Sequence, residues 1–472
     1  MNRHRTGSGI GIVLALLGTL CVATVAAPAG ASARNATNAS NASNAASATN
    51  ATSGADVADA RTVVAALDRA AHPLRTVEPG GDTADLRALD AMTGDAAVVG
   101  LGEATHSSHD FFALKDRVFR HLVEERGFRT FALEAPWSTG LRLDDYVVHG
   151  KGDPARIMSE EFQRDYLWWN NTDYLGLVKW MRAYNVRHAE DPVRFMGDDI
   201  AWTGPEVYDE VTAYVAAHHP QLSARLAELY RGLRPTTATG AYIEEYLNKP
   251  YAQRVEMAER TGRALELLRR RQPGADREAY DRMLRNATAI DRTAGQYAFD
   301  YVDPAQLAAA MRYRDEAMAD NVVSWREHTG TKVLLSAHDT HVGYVPADPA
   351  HYPKQQGAFL RDSLGAGYVS VGVTFDRGSF NATGPDGDIR RWTLGPAAPG
   401  SNEWTLDRVR YRDYAVDLRS VGEPARTWLS RARPTRSIGT DYPDTMPDVA
   451  LAATHDVLIH LHRVEAARLR DR

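Results

Sequence analysis

Five short runs of β-branched and apolar residues govern what this chain can fold into. They cover residues 96–102, 130–133, 193–197, 332–337 and 368–375. Each is bounded by turn-forming residues, and helical patterns separate the first four. A strand buried on both faces reads as a continuous apolar run, and strands that alternate with helices pair in parallel. The expected fold is therefore α/β: a mostly parallel central sheet flanked by helices.

The helical patterns refine this outline. Residues 107–125 carry Phe111, Val118, Phe119 and Leu122 at helical spacing, and Gly127 follows as a stop. Ser107 and Asp110 have the spacing of a capping box at the start of that helix. Between residues 220 and 326 there is hardly any strand pattern. Helices are expected over 221–233, 251–271, 277–297 and 312–325, forming an inserted helical cap subdomain that Pro304 interrupts. Residues 380–450, rich in Pro, Gly and Arg, are the least legible. A final helix is expected over 448–468.

The ends of the chain bear on location. Arg3, His4 and Arg5 precede an apolar stretch over 10–27, and Ala31-Ser32-Ala33 completes the pattern of a secretory signal over 1–33. Residues 34–54 form an Asn/Ala/Ser/Thr tract with almost no large apolar side chains, a linker that cannot offset the entropy of ordering. The working domain then spans 55–472, and the expected location is outside the cell. No further stretch is apolar enough to anchor in a bilayer. The net charge of −6, without a basic cluster, argues against nucleic acid as a partner. Cys21, the one cysteine, lies in the signal, so the domain has no disulfide, thiol nucleophile or thiolate metal site.

Ionisable residues follow the five runs: Glu103 and His106 after the first, Glu134 after the second, Asp198 and Asp199 after the third. His338 and His341 come after the fourth and Asp376 after the fifth. Ligand crevices of open parallel sheets lie at the carboxyl ends of the strands, so these residues should meet on one rim. An Asp after a strand commonly caps a helix, the plainer role for Asp198, Asp199 and Asp376. Glu134, ending an apolar strand, needs a partner. Lys115 falls on the apolar stripe of its helix, either turning outward or reaching into the crevice as a cation. There is no G-x-S-x-G elbow, H-E-x-x-H, phosphate-binding lysine loop or dinucleotide fingerprint. His and Glu remain. They suit a general base acting on water with a carboxylate orienting the imidazole, or alternatively the ligation of a metal ion.

At these residues the sequence resembles the erythromycin esterase family. The segments GLGEATHSSHDFFALKDRVFRHLVEERGF, FALEAP, WWNNTDYLGLVKWMRAYN, VRFMGDD, RYRDEAMADNV and LLSAHDTHV follow the family's order. The resemblance implies that 55–472 is a hydrolase domain in which His106 is the general base, positioned by Glu103 and Glu134. His338 and His341 would complete the pocket. It implies water-mediated cleavage of an ester or macrolactone, such as a macrolide antibiotic, without a covalent intermediate, cofactor or obligatory metal. Lys115 stands where the family usually carries Arg, and Asp110 where it usually carries Glu. Trp137, Trp168, Trp169 and Trp202 stand near the expected rim as candidates to line a substrate pocket.

Two other readings use the same residues. A metal-dependent hydrolase would ligate its ion through His106, His338, His341 and Glu134. A non-enzymatic exported protein would hold haem or a small apolar molecule against the tryptophans. The linker reading has a direct check: deleting residues 35–53 should leave the melting temperature unchanged, whereas a large drop would mean that the tract docks on the domain.

Overall fold

The computed structural model describes residues 54–471. The expected signal and nearly all of the linker lie outside the described residues. The strands are β1 (His72–Pro73), β2 (Val98–Leu101), β3 (Phe128–Pro136), β4 (Arg194–Asp199), β5 (Lys332–Ser336) and β6 (Tyr368–Thr383). They continue with β7 (Ile389–Leu394), β8 (Tyr414–Asp417), β9 (Arg433–Pro434), β10 (Asp448–Val449) and β11 (Val457–Val464). One sheet runs β1-β8-β11-β6-β2-β5-β3-β4, with β7 pairing along the far part of β6; β9 and β10 form a separate ribbon.

From β11 to β4 every neighbouring pair is parallel. Antiparallel pairing is confined to β1, β7 and β8, so the sheet is mixed at its margins. The five sequence runs are β2 to β6. Their side chains are buried almost throughout, as expected for strands covered on both faces.

Three expectations require correction. The final helix over 448–468 is instead β10, a short helix Leu451–Thr454 and β11. Val457, Leu458, Ile459, Leu461 and Val464 are all buried, and a short apolar run such as Val457–Ile459 fits a buried strand as well as a buried helix. The capping box also fails. Ser108, not Ser107, precedes the helix His109–Arg126, and its hydroxyl pairs with Thr105 Oγ1 at 2.6 Å. Asp110 instead accepts from the backbone N–H of Glu465 at 2.6 Å, tying the helix to the chain after β11. Pro304 does not interrupt the helical region. It occupies the first turn of the helix Pro304–Thr329, where its missing N–H costs nothing, behind an Asp303 cap.

Between β4 and β5 all described elements are helical: Pro205–His218, a 3-10 turn Pro220–Leu222, Ser223–Leu229, Thr239–Leu247, Tyr251–Arg269, Arg277–Tyr297 and Pro304–Thr329. The helices from Pro205 to Tyr297 share their own apolar cluster, which includes Val211, Tyr246, Leu268 and Ile290, whereas Ala319, Val322 and Trp325 of the helix Pro304–Thr329 pack with the sheet residues Val333 and Leu335. Among the described residues no helix is long and apolar enough to cross a membrane.

One contact fixes the height of a helix over the sheet. The helix Trp137–His149 lies so close to β4 that a Cβ on Gly140 would stand 2.0 Å from Gly197 N. A Cβ on Gly197 would stand 2.2 Å from Pro136 O. Backbone cannot yield as a flexible side chain does. Gly140→Ala should therefore destabilise by about 1–3 kcal/mol in denaturant unfolding, although alanine is the better helix former. Unchanged or increased stability would contradict this packing.

Candidate active site

β2 ends at Leu101, and the chain turns sharply into Glu103 and His106 before the helix His109–Arg126. Gly102 makes the turn possible, since a Cβ there would lie 1.8 Å from Asp339 Oδ1. That oxygen accepts from Val373 N at 3.0 Å, and Asp339 N donates to Glu103 O at 3.0 Å. The loop after β2 and the loop after β5 are thus stitched together.

Lys115 settles the question of its direction. Its side chain is fully buried and donates to Glu103 Oε2 at 2.5 Å and to Ala337 O at 3.3 Å. The other carboxylate oxygen, Oε1, lies 2.9 Å from His106 Nδ1. Burial works against the charged form of Glu103, but Lys115 and His106 outweigh it and hold the carboxyl below its usual range. A carboxylate only accepts, so His106 Nδ1 carries the proton and the lone pair of the neutral ring sits on Nε2.

Glu134, at the end of β3, anchors a second cluster. Its Oε2 accepts from His338 N at 2.9 Å, while Oε1 lies 3.1 Å from His341 Nε2 and 3.2 Å from Arg314 Nη2. Arg314 comes from the helix Pro304–Thr329 and grips Asp199 with two bonds, Nε to Oδ1 at 3.0 Å and Nη2 to Oδ2 at 2.6 Å. Tyr166 OH donates to Asp199 Oδ2 at 2.6 Å, and His341 Nδ1 lies 2.8 Å from Asp315 Oδ1. Burial alone would raise Glu134, yet His341, His106 and Arg314 hold it well below the ordinary carboxylate range. Burial would lower His341, yet Asp315 and Glu134 push it up to about 10. It is an imidazolium at neutral pH. Arg314 Nη1 stands 3.3 Å from its Nε2, a cation pair made tolerable by the carboxylates around it.

His338 differs. Its Nδ1 lies 2.8 Å from Thr340 Oγ1 and accepts from Thr340 N at 3.3 Å, which places the proton on Nε2. That atom is buried without a hydrogen-bond partner. Burial and the neighbouring His106, whose ring is 4.9 Å away, lower His338 to about 3 and keep it neutral.

A narrow pocket opens onto these groups, lined among others by His106, Glu134, Tyr166, Trp169, Ile243 and Arg314. Of the tryptophans, Trp169 lines it, with its ring 5.3 Å from His106. Trp137, Trp168 and Trp202 are not among its lining residues. Trp137 packs against Trp325 and donates to Asn286 Oδ1. Trp168 is core, and Trp202 packs on Tyr242 and donates to Glu161 Oε2.

The structure brings together Glu103, His106, Lys115, Glu134, His338 and His341. Asp199, read from sequence as a cap, is instead the counter-ion of Arg314. Asp198 holds Gln356 Nε2 at 2.6 Å, and burial pushes its carboxyl well up. Sequence reasoning missed Arg314, Asp315 and Tyr166. The signal for the first two was present: an adjacent Arg–Asp pair on the same helical stripe as Ala310, Met311 and Met318, all buried.

The erythromycin esterase family profile matches residues 123–464. A curated relative, erythromycin esterase type II of Escherichia coli, is 24% identical over 340 residues, covering 67% of this chain and 78% of that protein. A Bacillus cereus protein of known structure superposes with a TM-score of 0.80 at 27% identity, over 87% of this chain and 99% of that one. A succinoglycan biosynthesis protein does so with 0.78 at 28%, over 88% and 99%. An erythromycin esterase mutant in its open conformation shares the fold, with a TM-score of 0.66 at 16% identity, over 84% and 98%. With the family profile spanning most of its length and the same sheet at its centre, the chain belongs to the erythromycin esterase family.

Proposed function

We propose that this protein is an exported hydrolase that opens a carboxylic ester or lactone by direct attack of water, with His106 as general base. The observation that carries the reading is the Lys115–Glu103–His106 relay at the pocket wall. The Nε2 lone pair of His106 removes a proton from a pocket water as its oxygen bonds to the substrate carbonyl carbon. Arg314, which also lines the pocket, supplies positive charge for the developing oxyanion. Collapse breaks the carbon–oxygen bond to the leaving alkoxide, and the proton held by His106 passes to it. No side chain is acylated. The erythromycin esterases among the relatives make a macrolactone the first substrate to try, and a lactone and ester panel scanned for products heavier by one water identifies it.

The hydrogen bonds of His341 and His338 favour this reading over a metal-dependent one. His341 has each ring nitrogen turned onto a carboxylate, and His338 Nδ1 is turned onto Thr340. These are the bonds of an imidazolium and of a fixed tautomer, not of converging ligands.

Replacing His106 by Ala should lower turnover at least ~100-fold with the circular dichroism unchanged. Near-wild-type turnover would exclude His106 as the base. A pH series tests the rest of the site. His341, raised to about 10 from an ordinary 6.5, contributes stability that is complete below about 6.5 and is lost as pH climbs through 10. His338, lowered to about 3, acts in the opposite sense: its contribution is present above about 6.5 and fades as pH falls towards 3. Melting temperature should therefore fall on both sides of neutrality. His341→Asn should melt lower overall but lose less between neutral pH and pH 10; an alkaline limb as steep as that of wild type would refute the imidazolium.

A further inference from the structure

Asp376, which follows the fifth sequence run, takes no part in the catalytic cluster. It belongs to a second gathering of ionisable groups built on β6 and β11. These strands are parallel with Thr374 opposite His460 and Phe375 opposite Leu461, so Thr374, Asp376, His460 and His462 share one face of the sheet. Asp407, just after the helix Asn402–Leu406, reaches down onto that face. Its Oδ1 lies 2.6 Å from His462 Nδ1 and 3.5 Å from His460 Nε2. One donor atom from each of Asp376, Asp407 and His462 falls within 4.8 Å of the others.

His460 is the second, independent sign. It is fully buried; its Nδ1 lies 3.0 Å from Thr374 Oγ1, the Tyr414 ring packs 5.6 Å away, and Nε2 has no hydrogen-bond partner. If Nε2 carries the proton, a buried donor stands too far from Asp407 for a good bond. If it does not, a lone pair faces a carboxylate. A cation between the groups removes either conflict.

We propose that Asp376, Asp407, His460 and His462 form a second, non-catalytic site for a divalent transition-metal ion of the zinc class. Two imidazoles with two carboxylates form a nitrogen–oxygen set of the kind zinc accepts, whereas calcium and magnesium favour oxygen alone. The resident cation is Arg377. Its Nε donates to Asp376 Oδ2 at 2.6 Å and its Nη2 to Asp407 Oδ2 at 3.4 Å, while Ala397 N donates to Asp376 Oδ1. Arg377 is over one-third exposed and leans in from the rim, so an entering ion displaces it to solvent. His462 binds through Nδ1 and His460 through Nε2, and in each neutral ring the proton sits on the other nitrogen, which for His460 faces Thr374 Oγ1. Half-buried His462 and Asp407 leave a way in. None of the four lines the catalytic pocket, and the bound ion would clamp the segment after Leu406 onto β6 and β11.

The test titrates zinc into the chelator-stripped full chain by calorimetry, beside a cobalt(II) titration followed by visible absorption. One equivalent should bind and raise the melting temperature. Cobalt should give the spectrum of a four-coordinate nitrogen–oxygen site in the wild-type protein. His462→Ala and Asp407→Asn should bind at least about tenfold more weakly. His106→Ala should bind like wild type. No binding by the stripped wild type would overturn the proposal. So would binding retained in His462→Ala but lost in His106→Ala, which would place the ion in the catalytic cluster and count against the metal-free base as well.

Discussion

Arg314 is the contact on which the rim of the sheet depends. The ends of β3 and β4 bring Glu134 and Asp199 together in buried positions, where two carboxylates repel each other and lose most of their contact with solvent. One guanidinium from the helix Pro304–Thr329 answers both, with a two-bond grip on Asp199 and a third contact to Glu134. Removing one partner of a buried ion pair typically costs about 3–5 kcal/mol, because the remaining charge is left uncompensated. The order of the site follows from this grip. Glu134 is held ionised, its free oxygen fixes the backbone N–H of His338, and its other oxygen faces the imidazolium of His341. The same helix supplies Asp315 to the far side of that ring, so the helical region is joined to the sheet through the charges of the site itself.

The relay beneath His106 obeys the same rule with different parts. Glu103 has two oxygens and two partners, Lys115 on one and His106 on the other. A lysine is a point cation and occupies one oxygen; a guanidinium fork in the same place tends to engage both. The family's usual Arg is replaced here by Lys115, and that substitution is compatible with a carboxylate dividing its oxygens between a counter-ion and a histidine. The cost of burying three ionisable groups is offset because each finds a partner, leaving the imidazole with a defined tautomer and a lone pair for water.

Most of this site was legible because the chemistry sits at strand ends, where apolar runs stop and ionisable residues begin. Glu103, His106, Glu134, His338 and His341 each stand directly after such a run, and the parallel sheet gathers them. Arg314 escaped notice because it lies in the middle of a helix remote in sequence, and a buried Arg–Asp pair resembles a solvated face until its neighbours are seen to be buried. The tryptophans misled for a related reason: proximity to a rim in sequence does not say which face an indole presents, and only Trp169 of the four lines the pocket. The expected helix at β11 fails because the short apolar run Val457–Ile459 does not distinguish a buried strand from a buried helix. Its position beside β6 was invisible to local pattern, since the partner lies some eighty residues earlier.

The central claim is that Glu103, ionised by Lys115, fixes the proton of His106 on Nδ1 and leaves Nε2 free for water. Nitrogen-15 spectra of the histidine-labelled protein report it without any substrate, the His106 signals being assigned by their loss in His106→Ala. In the neutral ring, Nδ1 should show the shift and proton coupling of a protonated nitrogen, and Nε2 the shift of a bare one. Glu103→Gln should weaken or scramble that preference. A neutral His106 that carries its proton on Nε2 would contradict the account, because the lone pair would then face the carboxylate and the pocket would hold no base.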